Sequence, residues 1–212
     1  MKSDRLPASR LLLEGCSLLG LELSEQQLRA LEMHIEHIVR WSRRVNLTSI
    51  LDAEQMIIRH ILDSLAIFPY IRGTRLLDIG SGGGFPGLPI AITHPDIQTV
   101  LLDSSKKKTE FLGHVVSQLE LGNVSVIHER VENHRPAQPF HTLTARAVGS
   151  IERILGQAQA LCHPGKRLLI MKGKPPESEI RNLAIERVRE LSIVELHVPY
   201  LNADRNLVVI EF

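Results

Sequence analysis

The spacing of hydrophobic positions changes once along the chain, near residue 72. Before that point apolar residues recur at helical intervals. Leu28, Leu31, Ile35, Ile38 and Val39 form one stripe, with Ser24 placed as N-cap and Glu25 and Gln27 behind it. Ile57, Ile58, Ile61, Leu62 and Leu65 form a second stripe, running from Asp52 to a stop near Pro69. The first twenty residues carry a short apolar run that Glu14 interrupts, with no small-residue cleavage site after it, and read as a helix. Beyond Arg72 short apolar runs alternate with helical stretches. Strands are expected over 75–79, 99–103, 124–128, 142–147 and 167–172, and helices over 86–93, 106–119, 151–161 and 177–191. Two more strand-like runs, 193–198 and 207–212, are separated only by a turn containing Asn202 to Asn206.

Strands that alternate with helices imply right-handed crossovers and a parallel sheet covered on both faces. The last link is too short for a crossover, so the final pair is expected as an antiparallel hairpin. Five parallel strands closing on such a hairpin is the layout of an α/β, Rossmann-like, class I S-adenosylmethionine-dependent methyltransferase. The chain therefore divides into an N-terminal helical extension over 1–70 and a methyltransferase domain over 71–212.

Composition adds limits. The chain has 212 residues, enough for a core without staples, and its 43% hydrophobic and 23% charged residues are those of a soluble globular protein. The two cysteines, Cys16 and Cys162, are far apart, which suits a reducing compartment and argues against a disulfide scaffold or a structural zinc site. No apolar run approaches membrane-span length, so a cytoplasmic location without membrane partners is expected. A net charge of +1 provides no global basic field, so nucleic-acid binding would need its cations gathered on one face.

The stretch Asp78-Ile-Gly80-Ser-Gly82-Gly83-Gly84-Phe85-Pro86-Gly87 fits two nucleotide-binding patterns. From Gly82 it reads as the dinucleotide fingerprint, and from Asp78 as the loop that surrounds S-adenosylmethionine. Asp103, at the end of the second strand, could hold ribose hydroxyls in either reading. The dinucleotide register would put Asp78 and Gly80 inside the first strand, poor places for a buried carboxylate and a glycine. Pro86 and Pro89 also remove amide donors that a pyrophosphate would need. The methyl donor is the better fit, with a Rossmann-type NAD(P)-binding oxidoreductase as the alternative.

The acceptor follows by elimination. The fourth strand ends in Thr144-Ala-Arg146-Ala-Val148-Gly149, without the Pro-Pro-aromatic motif of exocyclic amine methylation. Neither cysteine has the context of a nucleophile, and no convergent carboxylates suggest metal-assisted O-methylation. An acceptor with its own lone pair remains, one that needs positioning and no general base. Lys106 to Lys108, Arg130, Arg146, Lys172, Lys174 and Arg205 all fall at the carboxyl edge of the expected sheet, where ligands of such sheets bind. Together they point to a nucleic-acid substrate. His34 and His37, one helical turn apart, read as surface or interface residues and not as metal ligands; His60 and Asp63 read as a local helix-end contact.

Several blocks occur together: Val45-Asn46-Leu47-Thr48-Ser49, Arg59-His60-Ile61-Leu62-Asp63-Ser64-Leu65, the glycine loop, Leu102-Asp103-Ser104 with Lys107 and Lys108, Arg130-Val131-Glu132 and Ala145-Arg146-Ala147. In this order they closely resemble the bacterial small-subunit ribosomal RNA guanine-N7 methyltransferase family (RsmG, also called GidB). One departure is Ser105-Lys106, where that family often has a leucine and a small residue. The resemblance implies methyl transfer from S-adenosylmethionine to N7 of the guanine at position 527 of 16S rRNA. It implies that Gly80 and Phe85 line the cofactor, with Gly82 in the same loop, that Val131 and Glu132 lie by the adenine, and that Arg146 closes the site. Asp103 as ribose ligand rests on the fold. The resemblance places Lys107, Arg130, Lys172 and Arg205 at the RNA-facing edge, names no chemical catalyst and no metal, and implies a monomer acting on 16S rRNA within the small subunit or its precursor.

Overall fold

The computed structural model describes residues 8–181, 183 and 188–212. Helices α1 (Ala8–Leu18) and α2 (Glu25–Trp41) open the chain. Helix α3 (Ala53–Met56) passes through a π-helical turn (Ile57–Leu62) into α4 (Asp63–Leu65). There follow β1 (Arg75–Ile79), α5 (Gly87–Thr93), β2 (Gln98–Asp103), α6 (Lys106–Gln118), β3 (Val124–His128), β4 (Thr142–Arg146), α7 (Ile151–Ala158), β5 (Arg167–Lys172), α8 (Glu177–Ile180), β6 (Glu190–Glu195) and β7 (Asn206–Glu211).

The strands form one seven-stranded sheet in the order β3-β2-β1-β4-β5-β7-β6. The first five are parallel to their neighbours, while β7 runs antiparallel to both β5 and β6. Chain order reverses between β1 and β4, which opens the crevice where such sheets bind ligands. Strand β4 has four buried residues out of five, because it lies at the centre with helices over both faces. On the edge strand β6 only Leu191 and Val194 are even half-buried, and nothing covers its outer side among the described residues.

The N-terminal helices complete one side of the core. Leu12, Leu31, Ile38, Met56 and Ile61 share a single apolar cluster with Leu88 of α5 and Phe111 and Val115 of α6. Helix α2 begins with the expected Ser24 cap, in which Gln27 N–H bonds Ser24 Oγ and the Gln27 side chain accepts from Ser24 N–H. The same Gln27 donates to the carbonyls of Ile92 and Thr93 at the end of α5, tying the helical segment to the sheet layer. On the opposite face, α7 packs against Leu77, Leu143 and Leu168.

Two expectations need correction. Of the helix expected over 177–191, the described residues show α8, four residues long; positions 182 and 184–187 lie outside the described residues, and Glu190 already begins β6. The strand expected at 193–198 starts earlier because its ends are set by its partner: Glu190 stands opposite Glu211, and Glu195 opposite Asn206. Apolar spacing alone could not supply that register. Of the expected N-terminal helix, residues 1–7 are likewise outside the described residues.

Candidate active site

Strand β1 ends at Ile79 as expected, and the chain then turns through Gly80, Gly82 and Gly84 at φ values of 67°, 56° and 93°. Non-glycine residues pay for that left-handed backbone. Gly87 is needed for a different reason: a Cβ there would meet Leu101 and Asp78, so α5 could not sit so close to the sheet. Asp78 lies inside β1 and is fully buried, contrary to the expectation that a strand carboxylate is a poor choice. Its oxygens are satisfied by the amide of Gly87 at 3.1 Å and the hydroxyl of Thr144 at 3.1 Å. Burial nevertheless pushes its carboxyl up to about 6.

Most amides of this loop are already engaged. Gly80 and Ser81 donate to the Leu102 carbonyl, Gly84 and Phe85 to Ser81, and Leu88 to Gly84. Gly82 donates to Asp103 Oδ2 at 3.0 Å, and Gly87 to Asp78. Pro86 has no amide proton to give. A pyrophosphate would therefore meet few free donors here, and a buried carboxylate behind them. Asp103 is itself buried and accepts from Gly82 and, through Oδ1, from Ser105 N–H at 2.8 Å; it holds the loop against β2, and only its remaining lone pairs are left for a ribose. Val131 is buried and Glu132 exposed on the turn after β3, where Glu132 accepts from Gln157 at 2.7 Å.

Arg146, the last residue of β4, is held from three directions. Nη1 donates to Asp63 Oδ2 at 3.1 Å, Nη2 lies 3.2 Å from His60 Nδ1, and the guanidinium carbon stands 5.0 Å from the centre of the Phe85 ring. Asp63 reaches on to Arg205, whose Nε donates to Oδ1 at 2.8 Å. His60 Nε2 lies 2.8 Å from Thr48 Oγ1, which also accepts from Ile50 N–H. Nδ1 thus stands within hydrogen-bond reach of both Arg146 and the Arg59 carbonyl, the latter at 2.9 Å. Burial first, and Arg146 second, hold the imidazole down at about 4, so it is neutral. Burial pushes the Asp63 carboxyl up while the two guanidiniums oppose the rise.

His60 and Asp63 thus make no mere helix-end pair; both serve Arg146. His34 and His37, expected at the surface or an interface, are buried where α2 meets the sheet layer. His34 Nε2 donates to the Gly83 carbonyl at 2.8 Å and its ring lies 4.8 Å from Phe85, with His60 at 4.7 Å from the same phenylalanine. An apolar stripe of α2 that meets the glycine loop pulls the histidines inward with it. Both cysteines are buried, their thiols raised to about 12 by burial. No cluster of three metal-ligating side chains occurs among the described residues.

Beside this network a cleft of about 440 Å³ opens over the ends of β4 and β5, lined in part by Ile50, Arg59, His60, Arg146, Met171 and Arg205. Of the cations expected to face RNA, Lys107 and Arg130 are exposed at the carboxyl edge of the sheet. Lys172 and Arg205 reach the cleft but are already paired. Lys172 Nζ lies 2.9 Å from both Glu179 oxygens and from the Gly149 carbonyl, and Arg205 is bound to Asp63. Their charge is largely neutralised in place, which sequence position could not reveal. Sequence reasoning also missed Thr48, His60 and Asp63 as partners of Arg146; the only signal was that polar residues interrupt an otherwise apolar helix within two of the motif blocks.

The family model described as rRNA small subunit methyltransferase G matches residues 27–208. A Nitrosococcus oceani protein named ribosomal RNA small subunit methyltransferase G is 44% identical, covering 92% of this chain and 91% of its own. One of the same name from Coxiella burnetii is 40% identical, covering 93% and 95%. The structure of a precorrin-6y C5,15-methyltransferase from Geobacter metallireducens shares the fold with a TM-score of 0.55 at 11% identity, over 80% of this chain and 95% of that one.

Proposed function

This chain belongs to the rRNA small subunit methyltransferase G family, and from that premise we propose that it methylates N7 of the guanine at position 527 of 16S rRNA. The cofactor is S-adenosylmethionine, which supplies a methyl group made electrophilic by its sulfonium. The backbone of Gly80 and Gly82, together with Phe85, Asp103, Val131, Glu132 and Arg146, would hold it.

One observation carries the choice of donor. The glycine loop has the left-handed turns that admit a nucleoside at the strand ends, yet most of its amides are engaged internally. That suits a phosphate-free cofactor and speaks against the NAD(P)-dependent oxidoreductase. Guanine N7 carries an in-plane lone pair and no proton, so the chain needs no general base. Its residues have to orient the two reactants and keep water out. The neutral His60, the Phe85 ring and the cation of Arg146 form a wall fit for a planar base or a carboxylate. The cleft beside them is large enough for one nucleotide turned out of its strand. We further take the substrate to be the rRNA within the small subunit or its precursor, and the enzyme to be a cytoplasmic monomer. No described helix is long and apolar enough to cross a membrane.

The test is methyl transfer from labelled S-adenosylmethionine to 30S subunits that lack the modification, followed by mapping of the labelled base. Label at N7 of guanine 527, with S-adenosylhomocysteine bound and NAD(P) not bound, is the expected result. Label at another base would move the site, and NAD(P) binding without S-adenosylhomocysteine binding would refute the proposal.

A further inference from the structure

We infer that the loop between α2 and α3, through Arg43 and Arg44, joins the first turn of α6 in a basic ridge that grips RNA phosphates beside the cleft. The inference rests on the rRNA-methylating reading above and assigns it residues outside the nucleotide-binding fold.

The pairing of Lys172 with Glu179 and of Arg205 with Asp63 removes two cations from the expected RNA edge. Unpaired positive charge has to be sought elsewhere. Arg43 and Arg44 are exposed, and neither meets a carboxylate among the described residues. Residues 40–51 contain three arginines and no acid, and the first turn of α6 contains three lysines and no acid. Lysines at a helix start oppose the helix dipole, so they are poorly placed for stability and well placed for an anion; Lys106 lies 4.0 Å from Glu110, which leaves Lys107 as the exposed lysine of this turn without a carboxylate partner among the described residues.

Helix α2 brings these two groups to one edge. Its first turn bonds the carbonyls of Ile92 and Thr93, at the end of α5 remote from the glycine loop. Further along, His34 reaches the loop itself. Its last residue, Trp41, packs against Phe111 of α6 at 5.6 Å and His114 at 5.3 Å. Lys107 lies one turn before Phe111 on the same face of α6. The end of α2 therefore packs against the middle of α6, and because His37 meets His114 while Trp41 reaches Phe111, the chain leaving α2 heads toward the first turn of α6 at the carboxyl edge of the sheet. A tight turn, in which Arg44 and Val45 both donate to the Trp41 carbonyl, presents the arginines there. The loop then runs directly to the active site, where Thr48 bonds His60 and Ile50 lines the cleft. A phosphodiester chain bound on Arg43 and Arg44 is thus led to the cleft mouth. Guanidinium forks match phosphate oxygens in a way that scattered surface lysines do not.

The test is the double variant Arg43→Ala/Arg44→Ala, with S-adenosylhomocysteine affinity as the control for folding. Binding to a 16S rRNA transcript is measured against salt. Loss of two phosphate contacts should lower the slope of log affinity against log salt by about 1.5 and the affinity at low salt about tenfold. KM for unmodified 30S subunits should rise while kcat holds. Arg72→Ala, in the exposed loop before β1 and so at the opposite edge, should leave the slope unchanged. A double variant with native cofactor affinity and an unaltered salt slope overturns the ridge. So does a raised KM for subunits with unaltered transcript binding, which would mean that the arginines touch a ribosomal protein. If the unaltered chain binds the transcript but methylates neither form of rRNA, the reading beneath the ridge fails instead, and the ridge with it.

Discussion

Arg146 depends on partners 83 and 86 positions away in sequence, Asp63 and His60, and on a ring that packs beneath it. A lysine there keeps the charge but loses the planar fork and the stacking on Phe85. Arg146→Lys should weaken S-adenosylhomocysteine binding at least tenfold in calorimetry, and unchanged affinity would remove Arg146 from the cofactor site. The buried histidines set an acid limit. Burial holds His34 and His60 at about 4, against 6.5 in the unfolded chain. Below 6.5 the unfolded state takes up protons that the native state refuses, so this stability is complete above pH 6.5 and lost as pH falls toward 4, at about 3 kcal/mol for each group. Asp78 has the opposite sign. Raised to about 6 by burial, its contribution is complete below 3.8 and lost as pH climbs through 6. His34→Gln keeps a donor for the Gly83 carbonyl without a titrating ring, so its urea midpoint should fall less than the native one between pH 7 and 5. An equal fall would assign the acid sensitivity to other groups. At this scale Arg146 and the glycines were legible, because each occupies a recognisable block. The pairing of Lys172 and Arg205 was not legible, because their partners come from other elements.

At the scale of elements, the π-helical turn between α3 and α4 is the least expected feature. Its wider winding lies between two regular stretches, in the segment that supplies Arg59, His60 and Asp63 to the cleft. Hydrophobic spacing marked a helix there but could not reveal the change of winding, since every Ile and Leu involved remains buried in either form. Gln27 plays a larger part than its half-buried place in the first turn of α2 implies. It completes the cap of α2 and binds two carbonyls at the end of α5. Gln27→Ala should cost about 2 kcal/mol in denaturant unfolding, whereas Gln26→Ala next to it should cost under about 0.5 kcal/mol. Equal costs would show that the link between the helices carries no stability.

For the whole molecule, the helical segment and the sheet layer share one apolar cluster. Removal of residues 1–70 would strip cover from Leu88, Ile92, Phe111, Leu112 and Val115. At about 1.5–3 kcal/mol for each buried side chain, the loss is on the order of 10 kcal/mol, comparable to the whole stability of a domain. A chain beginning at residue 71 should therefore lack fixed tertiary structure, with weak near-ultraviolet circular dichroism and no S-adenosylhomocysteine binding. A cooperatively folding fragment would show instead that the extension is an independent addition. By itself the sequence determined the alternation of elements, the closing hairpin, the place of the glycine turn and the nature of the methyl donor, because periodicity, turn residues and missing amides are local properties. The tertiary structure alone decided which charges remain available. Asp63 reaches both Arg146 and Arg205, and Glu179 reaches Lys172, while Arg43, Arg44, Lys107 and Arg130 stay exposed and meet no carboxylate among the described residues. Coulomb interactions act over a few ångströms of space, whatever the distance along the chain.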